Sequence, residues 1–236
     1  METSSKSYIP ALRYRWLTRF YDPVVRLTTR ERTFKEALLR QARIEGGYRI
    51  LDLGCGTGTL ALMAKRAYPS AEVLGLDADL EALELARLKI AKAGIEVRLD
   101  QGRASALPYT NDSFDRVLSG LFFHHLSSDL KDEAMQEVLR ILRPGGEFHI
   151  ADWGKPTSPT MRLAFLGVQI LDGFATTTDN VRGLLPDLLS RAGFTKVEIT
   201  GCFSTFFGTL SLFSSRKPSP RNDEEKQSIP AGICPG

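Results

Sequence analysis

The sequence predicts an α/β fold with a mostly parallel sheet of seven strands and helices on both faces. Three observations point there. Short apolar runs alternate with longer amphipathic stretches through residues 48–151, the βαβα order that builds parallel sheets. The first run, within Ile50-Leu51-Asp52-Leu53, ends in three alternating glycines, Gly54, Gly56 and Gly58. The second ends in an acid, Asp77 of Leu74-Gly75-Leu76-Asp77.

The elements follow in chain order. From Tyr8 to Ala42 apolar residues recur every three to four positions (Leu12, Trp16, Phe20, then Val24 and Val25), a helical period. Pro23 interrupts this stretch. A second helix is predicted over 29–42 and closed by Gly46-Gly47. Strands are predicted at 48–53, 72–76, 96–100, 114–119 and 147–151, with helices at 59–68, 79–93 and 131–142 between them. Pro69, Gly94 and Pro144-Gly145-Gly146 punctuate the helix ends. Residues 161–174 read as an extra helix, and 178–192 as another, closed by Gly193. Two strands then follow at 196–203 and 209–214, close enough to be an antiparallel pair. From residue 216 the composition turns to Lys, Pro, Ser, Asp and Glu, and 216–236 reads as a flexible tail. The domain division is therefore an N-terminal helical segment 1–47, a central α/β domain 48–215 and the tail.

Composition narrows the function. With 236 residues, 42% hydrophobic and 25% charged, the chain has enough apolar matter for one ordinary core. No apolar run reaches the length of a membrane-spanning helix, and Met1 to Lys6 has no apolar leader. The cysteines Cys55, Cys202 and Cys234 are odd in number, widely spaced and without metal-ligand spacing. A reduced, cytoplasmic setting and no metal are expected. Charge is uneven: residues 1–43 hold ten Lys/Arg against four Asp/Glu, while the whole chain is only +3. Such a basic segment suits an anionic substrate, a membrane surface or nucleic acid, or is simply a solvated helix face.

The glycine loop predicts a ligand that approaches the main chain closely. An acid ending the next strand, about 20 residues on, suits ribose hydroxyls. A dinucleotide loop has the form G-x-G-x-x-G, but here the spacing is G-x-G-x-G and Thr59 takes the place of the last glycine. A dinucleotide domain also usually opens on its first strand, whereas here over 40 residues of helical pattern precede it.

At these residues the chain resembles the class I S-adenosylmethionine-dependent methyltransferases. The resemblance runs from Tyr48 to Ser214 and rests on five features in order. They are the glycine loop Ile50–Gly58, Asp77, the stretch Ala106-Leu107-Pro108-Tyr109 with Asn111 to Asp115, His124-His125-Leu126, and Leu142-Arg143-Pro144-Gly145-Gly146. The chain is similar to the small-molecule group typified by ubiquinone/menaquinone biosynthesis C-methyltransferases. The resemblance implies a Rossmann-like sheet, a lid formed by residues 1–47 and the helix near 160–174, S-adenosyl-L-methionine as cofactor, S-adenosyl-L-homocysteine as product, and a small-molecule methyl acceptor.

It also implies site residues. The backbone of Gly54, Cys55 and Gly56, beside Gly58, would approach the methionine end of the cofactor. Asp52 would help hold its ammonium, directly or through water, and the carbonyl of Ser119 would face the same group. Asp77 would take both ribose hydroxyls. Ala78 and Leu80 would border the adenine, with Arg103 and Ala104 at its edge. Many relatives carry Asp or Asn at the position of Arg103, and an arginine cannot accept a hydrogen bond from the adenine amino group. His124 and His125 follow the fourth strand, at the edge where such folds bind ligands. Either suits removal of a proton from an acceptor, with His124 the better candidate and His125 the more structural. Asp152 and Trp153, after the fifth strand, are substrate-side candidates; Asp152 can bind an amine, orient a histidine or form a turn. Tyr21 would cover cofactor or substrate. A nicotinamide oxidoreductase, a nucleic-acid methyltransferase and a non-catalytic relative are the competing readings. Spacing weakens the first, and the absence of an Asn-Pro-Pro-aromatic signature or an appended RNA-binding module weakens the second, so no nucleic-acid partner is expected.

Overall fold

Strand parity decides which residues of this chain meet. The computed structural model describes residues 31–219. Tyr21, the first predicted helix and most of the predicted tail lie outside the described residues. Seven strands form one sheet: β1 (Arg49–Leu53), β2 (Glu72–Asp77), β3 (Arg98–Gln101), β4 (Phe114–Gly120), β5 (Leu142–Trp153), β6 (Thr195–Thr205) and β7 (Gly208–Arg216). Their order is β3-β2-β1-β4-β5-β7-β6. The pairs from β3 to β5 are parallel, and β7 runs antiparallel to both its neighbours. The helices are α1 (Glu31–Gln41), α2 (Thr59–Ala67), α3 (Leu80–Lys92), α4 (Ser128–Ile141), α5 (Pro159–Asp172), α6 (Phe174–Arg182) and α7 (Leu185–Ala192). No helix among the described residues is long and apolar enough to cross a membrane.

Successive strand side chains point to opposite faces. Leu51 and Leu53 of β1 therefore join Phe148 and Ile150 of β5, with Met135 and Val138 of α4 and Leu188 of α7, in one buried cluster. Ile50 joins Leu118, with Phe34 and Leu38 of α1 and Leu60 and Ala64 of α2, in the other. The same parity sends the Asp52 side chain toward α2. There its Oδ2 accepts the Ala61 N–H at 2.9 Å. Gly58, at the N-cap of α2, has no side chain to do this, so a strand carboxylate caps the helix from a distance. Helix α3 is capped locally, by Asp79 accepting from Glu81 and Ala82.

Three predicted boundaries change. Residues 178–192 form parts of two helices, because Gly183 adopts a left-handed φ of 74° and Pro186 opens α7. Strand β5 begins at Leu142 rather than at 147. Its first residues pair beyond the end of β7, where Gly145 N–H reaches Lys217 O and Lys217 N–H reaches Gly146 O. The same pairing takes 216 and 217 out of the predicted tail: Arg216 ends β7, and Lys217 Nζ reaches Asp112 at 2.6 Å.

A charged row crosses three strands. Arg116 of β4, Glu147 of β5 and Arg216 of β7 are register partners. Arg116 lies 3.6 Å from the Glu147 carboxylate and Arg216 Nε donates to it at 3.2 Å. His149 Nε2 adds a third contact at 3.2 Å, and its Nδ1 meets the Gln41 amide of α1 at 3.2 Å. Burial alone would raise the Glu147 carboxyl. The bonds from His149 and Arg216 and the charge of Arg116 outweigh it and bring the pKa down to about 2.

A group depressed in the folded state stabilises above its unfolded pKa and loses that contribution as pH falls through the folded value. Glu147→Gln is therefore expected to destabilise the protein by about 1–3 kcal/mol at neutral pH. The gap to the native chain should close as pH drops from about 4.5 toward 2. Thermal unfolding across that range checks this, and a gap independent of pH would remove the Glu147 charge from the balance.

Candidate cofactor and active site

At the carboxyl edge of β1 to β4 lies a small open cleft of about 110 Å³, lined by Gly54, Asp77, Ala78, Gly102, Arg103, Ala104, Ser105, Phe122 and Glu133, among others. The glycine loop is held from below. Gly54 and Cys55 both donate to Leu76 O, at 2.9 and 3.0 Å. Gly56 donates to Asp77 Oδ2 at 2.8 Å. The loop N–H groups are thus occupied internally, and what it can offer a ligand is carbonyl oxygen and close approach. Gly54 has φ of 70°, and a Cβ there would lie 2.3 Å from the Phe122 ring. Gly58 serves packing, since its Cβ would sit 3.0 Å from Ala86 of α3.

Asp77 is buried, with one oxygen on Gly56 and the other on the Asp79 N–H at 2.9 Å. An ionised carboxylate has about four lone-pair positions. Gly56, Asp79 and the adjacent Ala78 N–H use part of this capacity, and the remainder suits ribose hydroxyls. Burial raises the Asp77 pKa, against the pull of the Asp79 and Gly56 N–H groups. Asp52 is raised to about 7, chiefly by burial, with Lys35 and the Ala61 N–H opposing and Asp77 adding repulsion.

The other expected cofactor residues divide. Ala78, Arg103 and Ala104 line the cleft. Leu80 begins α3 and is half exposed. Ser119 is fully buried, its hydroxyl donating to Leu53 O at 2.9 Å and so joining the ends of β4 and β1. Cys55 is a buried free thiol, held well above the ordinary range by burial and then by the charges of Asp52 and Asp77. That suits packing rather than reaction.

The histidines sit in a short 3-10 turn, Phe123–His125, after β4. His124 Nδ1 lies 2.7 Å from Asp152 Oδ1, and the His124 N–H reaches Oδ2 at 3.2 Å. Trp153 N–H also donates to Oδ1, at 2.7 Å. Asp152 is fully buried. It orients a histidine, and it is neither an exposed binding group nor a turn former. Trp153 is buried against Phe165, ring centroids 5.4 Å apart. The His125 ring lies 4.0 Å from that of His124. Its buried Nε2 meets no partner among the described residues, and burial, with His124 beside it, holds its pKa well below the ordinary value. Behind the pair, fully buried Lys131 of α4 donates to Thr176 O at 2.7 Å and Asp179 Oδ2 at 3.1 Å, fastening α6 to α4.

Sequence reasoning did not find Phe122, Ser105 or Glu133 in the cleft. Phe122 had one available signal, a large apolar residue just past a strand on the ligand-binding edge. Glu133 had none, because a charge on an amphipathic helix reads as solvated.

Residues 50–146 match the family described as a methyltransferase domain. Over those residues the chain is similar to methyltransferase domains. Its fold and motif order make the similarity one to the class I, S-adenosylmethionine-dependent kind. The chain is 35% identical over 135 residues to a demethylmenaquinone methyltransferase of Lactobacillus johnsonii, covering 56% of this chain and 54% of that protein. It is 29% identical over 210 residues to a ubiquinone/menaquinone biosynthesis C-methyltransferase of Syntrophotalea carbinolica, covering 80% of this chain and 85% of that one. The match thus spans about half the length of the first relative. The Bacillus subtilis YcgJ structure superposes with a TM-score of 0.64 at 19% identity, over 78% of this chain and 98% of that one. At that identity the likeness is one of fold.

The cleft residues fit this cofactor: Asp77 retains acceptor capacity for a diol and Gly54 permits close approach. A cation near Asp52 favours its ionised form. Affinity for S-adenosylhomocysteine is therefore expected to rise as pH increases from 6 toward the Asp52 value of about 7, then level off. Asp52→Asn should flatten the profile. Calorimetry at several pH values decides, and a native profile already flat would take Asp52 out of ammonium recognition.

Proposed function

We propose that this chain transfers a methyl group from S-adenosylmethionine to a small apolar or aromatic acceptor that carries an ionisable proton. The observation that carries this reading is the buried Asp152–His124 contact of 2.7 Å at the carboxyl ends of β5 and β4. A carboxylate only accepts, so Nδ1 holds the proton and Nε2 has the lone pair. That is the tautomer of an oriented general base. The relatives named for demethylmenaquinone and for ubiquinone/menaquinone biosynthesis support a quinone-like acceptor.

In this reading Asp77 holds the ribose, with Ala78, Leu80, Arg103 and Ala104 around the adenine. Asp52, the Gly54–Gly56 carbonyls and Ser119 face the ammonium. The cofactor supplies a methyl group already activated on a positively charged sulfur. The chain's own work is then alignment and proton removal. As the carbon–sulfur bond breaks and the bond to the acceptor forms, the acceptor's proton passes to His124 Nε2. Asp152 stabilises the resulting imidazolium. His125, held neutral by its burial, supports the first ring.

Asp77→Ala is expected to weaken S-adenosylhomocysteine binding by roughly 2–3 kcal/mol, the worth of two charge-assisted bonds. Calorimetry measures this, and unchanged affinity would mean the ribose is held elsewhere. Asp152→Asn should lower kcat by about 10²–10⁴-fold, as loss of a correctly oriented base does, while cofactor affinity stays the same. The assay is methylation of a reduced naphthoquinone. An unaltered kcat would assign the pair a purely structural part.

A further inference from the structure

Of the residues lining the cleft, two bring carboxylates: Asp77 and Glu133. They come from opposite walls. Asp77 ends β2, while Glu133 projects from α4. Gly102 to Ser105, after β3, also line the cleft. On the reading above, that loop meets the adenine. The side chain it offers first is Arg103, which has five donors and no acceptor. An adenine there presents an amino group, a donor, with no side-chain acceptor at 103 to receive it.

We propose that Glu133 is the acceptor for the adenine amino group, taking from the helix wall the part that the loop side chain cannot perform. This rests on S-adenosylmethionine as the ligand. Two side chains on the walls can accept at all besides Asp77: Glu133 and Ser105. A hydroxyl both donates and accepts, so it tolerates an amino or an oxo group at the purine 6-position. An ionised carboxylate only accepts. It binds an amino group with a charge-assisted bond and repels an oxo group. The choice between the two residues therefore becomes a difference in purine selectivity. Glu133 also frees Arg103, exposed at the cleft rim, from any base-reading role.

The test uses two probes, S-adenosylhomocysteine and S-inosylhomocysteine, in which oxygen replaces the 6-amino group. Each is titrated by calorimetry into the native chain, Glu133→Gln, Glu133→Ala and Ser105→Ala, with thermal unfolding to confirm that each variant is folded. The native chain is expected to prefer the adenine ligand by about 10–100-fold, a range set by one charged hydrogen bond and its loss. Glu133→Gln, whose amide can turn either face, should bring the two ligands within a few-fold. Glu133→Ala should bring adenine binding down to the inosine level, and Ser105→Ala should keep the native preference. A preference that persists in both Glu133 variants, or collapses only in Ser105→Ala, overturns the assignment while leaving the cofactor reading intact. A folded native chain that binds neither ligand overturns both.

Discussion

The Asp77 carboxylate is the constraint on which the ligand edge of this sheet depends. Its side chain holds Gly56 of the first loop and Asp79 at the start of α3. Its own carbonyl accepts Gly102 N–H, after β3, at 3.0 Å. One residue therefore fixes three loops, each leaving a different strand. Charged-to-backbone hydrogen bonds contribute about 1.5–3 kcal/mol each. They act on segments whose φ values, 70° at Gly54 and 50° at Gly56, do not hold themselves in place. The sheet supplies the register and the carboxylate supplies the turn.

That arrangement concentrates negative charge. Asp77 disfavours the ionised form of Asp52, Asp79 disfavours that of Asp77, and burial disfavours both. Lys35 offsets part of this at Asp52, while itself paired with Glu31 at 2.5 Å. The Asp52 bond to Ala61 makes that buried carboxylate a cap for α2, held in place from β1.

Much of this was readable in the sequence, and what was not readable has a physical pattern. Strand positions, the turn glycines and the acid ending β2 are local signals set by period and backbone conformation. Pairings across the chain are not local. His124 and Asp152 stand 28 positions apart and meet because β4 and β5 are neighbours. A sequence offers Asp152 several roles, and only the register removes all but one. The Gly183 break was missed for a related reason: apolar residues continue with helical spacing on both sides, and a single glycine in a left-handed turn does not disturb that period. The inward aim of the glycine-loop N–H groups, to Leu76 and Asp77, is likewise set by neighbouring strands and not by local sequence.

The two adjacent histidines show how position within one short turn separates roles. Both are buried, and their rings lie 4.0 Å apart. His124 meets a carboxylate that compensates a positive ring, whereas His125 has only burial and its neighbour, which both oppose protonation. Protonating one also disfavours protonating the other. Burial keeps His125 neutral, and its ring fills the space against the His124 ring that Asp152 orients.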